Sequence, residues 1–144
     1  MKKIFIFVLL YLSMQIAFAA PAIVVQYDFS YQKQQHNGIV SEKFHNKLRL
    51  LNDQQWVLVG GSKNSDTITK TGAVQQDLSR TFILLSKNEK ADDEKATIKF
   101  LVLDLSAQSN FVRELTLIAK YGQKSIINLD VDNRKINITA SVTK

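Results

Sequence analysis

The side chains best equipped for chemistry are two histidines, His36 and His45, with Glu42 between them. Such a set can supply three ligands to a zinc ion. The spacing matches no rigid template such as His-Glu-x-x-His. The surrounding stretch, Lys33 to Asn46, is polar and reads as a loop or a poorly paired edge segment. The expectation is two solvent-exposed loop histidines, fit at most for a pH-sensitive contact. Ser62 and Lys63 follow Gly60 and Gly61, but neither a nucleophile elbow nor a P-loop has that spacing. Adjacent residues of a strand or turn point apart, so Gly60 to Ser65 reads as a flexible break. Asp130-Val131-Asp132-Asn133 starts like a calcium loop, yet Lys135 stands where glycine is needed and Ser141 where a bidentate glutamate is needed. A hairpin turn is the reading that remains. Asp92, Asp93 and Glu94 are flanked by Lys90 and Lys95 and read as a solvated loop. With no cysteine in the chain, thiol chemistry is excluded. No catalytic set, metal site or cofactor is expected.

Aromatic residues offer a different chemistry. Tyr27, Phe29 and Tyr31 alternate along one stretch; with Trp56 and Tyr121 they could line a groove for a small ligand or glycan. Such a stripe is more simply the core face of a strand, with the tyrosines at its rim.

These residues need elements to hold them, and the elements read as strands. From Ala22 to Gln32, Ile23, Val25, Tyr27, Phe29 and Tyr31 share one parity while the other is almost all polar. Period-two alternation predicts one face on a core and one in water. Lys47–Leu51 and Gln55–Gly60 read as a strand pair around residues 52–54. Asp66–Val74 is Thr-rich and reads as an edge strand, and Gln75–Ser79 admits a helical turn. Phe82 to Leu85 and Ile98 to Leu105 are apolar on both parities. They predict a central hairpin covered on both faces, closed by the charged 88–95 loop. From Ala96 to Val142 four strands with short joints predict an antiparallel meander. Leu50–Val59 and Leu117–Leu129 echo one another, as two strand-turn-strand units do. The expected core includes Tyr27, Phe29, Trp56, Leu58, Phe82, Leu84, Phe100, Val102, Leu115, Leu117, Ile127, Leu129 and Ile138. The expected architecture is a single all-β domain over residues 20–144, an antiparallel β-sandwich, with a small β-barrel as the alternative.

Residues 1–19 read as a cleavable signal peptide. Lys2 and Lys3 precede an apolar run from Ile4 to Leu12, and Ala17-Phe18-Ala19 offers small residues at the cleavage site. The sequence therefore predicts export to the periplasm or the medium, bacterial in style, with no lipoprotein cysteine and no membrane span after cleavage. Loss of Lys2 and Lys3 takes the net charge from +6 to +4. No dense basic run interleaves with aromatics, which disfavours nucleic acid as a partner. The function expected is a non-enzymatic interaction module that meets another exported or envelope protein through an edge strand or a surface. Asp66–Val74 and the N-terminal strand are the candidate edges. Trp56, Tyr27, Tyr31, Tyr121, His36 and His45 are the candidate contact residues. A small-ligand or glycan binder and a hydrolase inhibitor are the alternatives.

Overall fold

A computed structural model describes residues 22–107 and 109–144, without the side chains of 64–67 and 75–79. The signal peptide read over residues 1–19 lies outside the described residues. Eight antiparallel strands carry the fold: β1 (Ala22–Gln35), β2 (Gly38–Leu51), β3 (Val57–Thr69), β4 (Val74–Ala91), β5 (Lys95–Leu105), β6 (Asn110–Lys120), β7 (Lys124–Val131) and β8 (Arg134–Thr143). Their spatial order is β6-β5-β4-β3-β2-β1-β8-β7. The chain thus runs up and down around the molecule, with β1 and β8 paired and β6 and β7 left open.

The ring is pinched at a second place. β2 and β3 pair only through Gly38–Thr69, Ile39–Ile68 and Val40–Thr67. Beyond Val40 they separate into different layers. One layer is β7-β8-β1-β2 and the other is β3-β4-β5-β6, so the architecture is a β-sandwich and not a closed barrel. Side chains seal the gap between β2 and β3. Asn46 Nδ2 donates to the Val59 carbonyl at 2.9 Å, and Ser62 Oγ donates to Glu42 Oε1 at 2.8 Å. The Phe44 ring lies against Gly60, where a Cβ would sit 2.6 Å from it. Gly60 and Gly61 are therefore close-approach positions within β3, not a break in it.

The core fills the space between the layers. Ile23, Val25, Tyr27, Phe29 and Tyr31 are all buried, as the alternation of β1 requires. They meet Phe82, Leu84, Ile98, Phe100 and Val102 of the opposite layer. Tyr27 and Phe100 meet edge-on at 5.5 Å between ring centroids, and Phe82 stacks on Phe44 at 5.9 Å. The Tyr27 hydroxyl lies 3.0 Å from Ser86 Oγ, which satisfies the one polar atom that the ring carries inward. Burial pushes that hydroxyl's pKa well above its ordinary value, against the Ser86 bond, so it stays protonated.

Several expectations are corrected. Residues 33–46 are not a loop: β1 runs to Gln35 and β2 starts at Gly38, with full pairing from Gln35–Gly38 to Ala22–Leu51. Residues 47–51 and 55–60 do not pair, because β2 and β3 have already diverged there. Residues 75–79 are strand, not a helical turn. β4 extends through the charged segment to Ala91, and Asn88 is buried. Trp56 and Leu58 are 36% and 58% exposed and lie outside the core. A bulge between Leu58 and Gly60 shifts the parity of β3, so Val59 takes the inner position instead. The pairing of β4 with β5 is as expected, with Thr81 opposite Leu105 and Leu85 opposite Leu101, but the joint is only residues 92–94 and no described strand covers the outer face. The 132–133 hairpin turn is as expected too, with both Asp132 and Asn133 at positive φ (51° and 59°). The two echoing segments are the two places where the chain passes between layers.

Candidate interaction surfaces

The sequence candidates do not converge. Tyr27 and Tyr31 are buried at 0% exposure. His36 sits in the β1–β2 turn, while Trp56 and Tyr121 lie at the opposite end of the sandwich, in the β2–β3 and β6–β7 links. Lys87 Nζ stands 4.9 Å from the centre of the Trp56 ring, and Lys144 Nζ stands 4.9 Å from that of Tyr121. Tyr121 also donates from its hydroxyl to the Asp92 carbonyl at 3.0 Å, so it closes the end of the sandwich.

His45 and Glu42 lie on opposite faces of β2, since alternate residues of a strand point apart. Glu42 turns inward and is 8% exposed. His45 turns out and meets Asp28, Nδ1 to Oδ1, at 2.5 Å. The pair borders a shallow depression of about 450 Å³ that also touches Ser30, Lys43, Asn137 and Thr139. An imidazole and a carboxylate are two parts of a triad, but the neighbouring Ser30 hydroxyl accepts from Asn137 Nδ2 at 3.2 Å. Among the described residues no group of three or more His, Asp or Glu is placed to hold a metal.

A charge network absent from the sequence reading occupies the end of the core beneath the 36–37 and 132–133 turns. Arg80 of β4 is 1% exposed and Asp104 of β5 is 0% exposed. Arg80 Nε donates to Asp104 Oδ1 at 2.6 Å, and its Nη1 donates to Glu42 Oε1 at 2.6 Å. Tyr31 donates to Asp104 Oδ2 at 2.5 Å and accepts from Arg134 Nε at 3.1 Å. Burial and the adjacent Asp104 carboxylate both raise the Tyr31 pKa, so its hydroxyl remains a donor. Burial by itself would lower the Arg80 pKa, but Asp104 and Glu42 outweigh it and leave the guanidinium raised and charged. Arg134 spans to β6 by stacking over Phe111 at 4.5 Å. The network ties the layers together where β2 and β3, and β6 and β7, part company. Desolvation offsets much of the attraction within such a buried ionic group, so its net stabilisation is small while the loss of one partner is costly.

No protein-family model, curated protein or solved structure matches the chain.

The surfaces that remain are the two outer faces and the two free edges. The outer face of the β7-β8-β1-β2 layer is mostly polar: Gln26, Asp28, Ser30 and Gln32 of β1 lie beside Lys43, His45 and Lys47 of β2, and its exposed apolar residues, Ile39, Leu51 and Ile126, stand apart on β2 and β7. The outer face of the other layer is not. Ile83 lies opposite Leu103, and Leu103 opposite Val112. Leu58 lies opposite Leu85, and Leu85 opposite Leu101. Leu58 and Val112 are 58% exposed. The apolar outer parity of β4 and β5 predicted a cover, and among the described residues none is present. One end of this face is charged but self-neutralised, with Lys99 Nζ 2.9 Å from Glu89 and 3.0 Å from Glu114.

The edges named from the sequence are both interior. β1 pairs with β2 and with β8. Residues 67–69 pair with Gly38–Val40, and Thr67 and Ile68 pair with Gln75 and Val74. Among the described residues the free edges belong instead to β6 and β7. Their three-residue link predicted a hairpin, yet they enter different layers and do not pair. Tyr121 is drawn to β8 instead, bridging Val142.

Proposed function

We propose that this chain is an exported, non-enzymatic interaction module that docks another exported or envelope protein on the outer face of the β3-β4-β5-β6 layer. The observation that carries the reading is the asymmetry of the two outer faces, one mostly polar and one with a central cluster of leucine, isoleucine and valine. Single exposed apolar residues are ordinary on a protein surface; a contiguous set across four strands marks a contact. Four strands about 4.8 Å apart and eleven residues long give a face of about 700 Å². With its charged end included as a rim, that is close to the ~800 Å² per partner of a standard interface. The N-terminal features of the sequence support export.

Replacing Leu103 by Glu tests the docking face. Position 103 faces outward on β5, so the variant should fold with nearly unchanged stability. A photo-crosslinking residue at Val112 should give a discrete adduct in cells, and Leu103→Glu should abolish it. The same crosslinker at Asn137, on the polar face, serves as the control. Equal adducts from both faces, or none from Val112, would remove the reading. Export has its own readout. Mass spectrometry of the protein made in a bacterial host should show a chain beginning at Ala20, recovered outside the cytoplasm. A cytoplasmic chain that keeps residues 1–19 would contradict it.

A further inference from the structure

We infer that β7 is a self-pairing edge, through which two copies of this chain join antiparallel about Ile127. Exposed sheet edges are normally blunted by proline, by a bulge or by an inward-pointing charge. β6 has such a device. Arg113 occupies the inward parity of that strand, between Phe111 and Leu115, and is exposed. β7 has none of them. Its pairing with β8 runs without a bulge from Lys124–Ser141 to Val131–Arg134, it holds no proline, and its inward positions are Ser125, Ile127, Leu129 and Val131. All four are half-buried.

The strand is complementary to itself in one register. Centred on Ile127, antiparallel pairing sets Lys124 opposite Asp130 of the second copy, and Asp130 opposite its Lys124. Both residues are exposed on the outer face. On the inward face Ile127 meets Ile127 and Ser125 meets Leu129, which prolongs the row of core side chains into the partner. Parallel pairing would set Lys124 beside Lys124. Moving the centre to Ile126 or Asn128 pulls Asp130 away from Lys124, and a one-residue slip turns one strand's inward side chains to water. Charge and parity therefore choose the same arrangement. Cross-strand pairs of opposite charge are favourable and directly opposed like charges are not.

The occupant is a second copy because the charge pattern of this edge is matched by its own reverse. The result is a two-fold assembly with a layer continuous across both subunits. It leaves the apolar face of the other layer uncovered, so it does not depend on the docking reading above.

Sedimentation analysis of the purified chain tests it. The wild-type chain should show a concentration-dependent dimer. Lys124→Glu and Asp130→Lys should each weaken it at least about tenfold, since each sets two like-charged pairs across the axis. The double variant carrying both changes should dimerise again. The chain has no cysteine of its own. Ile127→Cys should therefore oxidise to a disulfide-linked dimer, because the Cα separation across an antiparallel pair suits that bond. Ser125→Cys, which faces Leu129 of the partner, should not. A wild-type chain that is monomeric at its highest soluble concentration would overturn the inference. So would a dimer indifferent to both charge reversals. Leu103→Glu should leave the dimer intact; dissociation by that variant would place the self-contact on the apolar face and overturn the β7 pairing.

Discussion

Asp104→Ala is expected to cost about 3–5 kcal/mol of folding stability, measured as the loss in urea unfolding free energy. Three charged or polar groups converge on this carboxylate. Arg80 Nε and the Tyr31 hydroxyl donate to it, and Lys33 Nζ lies 3.9 Å away. Removing it leaves a guanidinium at 1% exposure with Glu42 as its remaining ionic partner. Among the described residues Arg80 Nη2 has no hydrogen-bond partner, so they offer no spare acceptor there. An uncompensated buried charge is far more costly than the net worth of the bond that was lost. Tyr31→Phe is a milder change and should cost about 1.5–3 kcal/mol, the value of a hydrogen bond to a charged group. The informative comparison is the double variant Arg80→Met with Asp104→Leu. It removes charge and counter-charge together and should be more stable than Asp104→Ala alone. A loss below about 1 kcal/mol in Asp104→Ala would mean that water reaches Arg80 and that this end of the sandwich is open.

The alternation that revealed β1 also contained the network, in a form that composition hides. Along β5 the buried parity reads Ala96, Ile98, Phe100, Val102, Asp104. Along β4 it reads Arg80, Phe82, Leu84, Ser86, Asn88. A lone carboxylate and a lone guanidinium each end a row of core side chains. The clue was position on the inward parity, and it becomes a pair only once Thr81 is set opposite Leu105. Glu42 did the opposite harm. It falls on the inward parity of β2 between Val40 and Phe44, broke the apparent alternation, and made residues 38–46 of a fourteen-residue strand look like a loop. Its partner Arg80 lies far along the chain, beyond the reach of any local pattern.

The hydropathy of β4 and β5 was legible and its meaning was not. Apolar residues on both parities imply that both faces are covered, but not by what. Among the described residues the inward parity meets the opposite layer and the outward parity meets no other strand. The β6–β7 link shows the other limit. A short joint containing Gly122 at positive φ (73°) is ordinary hairpin grammar. What sends the two strands apart is capture of Tyr121 at the far end, with its amide on the Glu94 carbonyl at 3.2 Å and Gly122 donating to Val142 at 2.8 Å. Those acceptors come from other turns and strands and leave no mark on residues 120–124.

Gly38→Ala should be the most damaging small substitution in the described chain, at about 3 kcal/mol or more. A Cβ there would lie 2.0 Å from the Ile68 carbonyl oxygen and 2.9 Å from Thr69 Cα. Both are backbone atoms of the strand it pairs with, so no side chain can swing aside. Gly38–Thr69 is also the first of three residue pairs that make the two layers one sheet. Pushing it apart shifts stress onto the Ser62–Glu42 bond and then onto Arg80, which shares that carboxylate oxygen. Amide exchange at residues 38–40 and 67–69 should therefore speed up before exchange in the β4–β5 hairpin does. Gly72→Ala is the control. Its φ of +82° penalises a side chain, yet nothing lies within 4 Å of the added carbon. Its cost should be about 1–2 kcal/mol, with exchange at 38–40 unchanged. If the two variants behaved alike, backbone conformation rather than contact between β2 and β3 would set the need for glycine. The layers would then be held by their shared core and the Arg80 network alone.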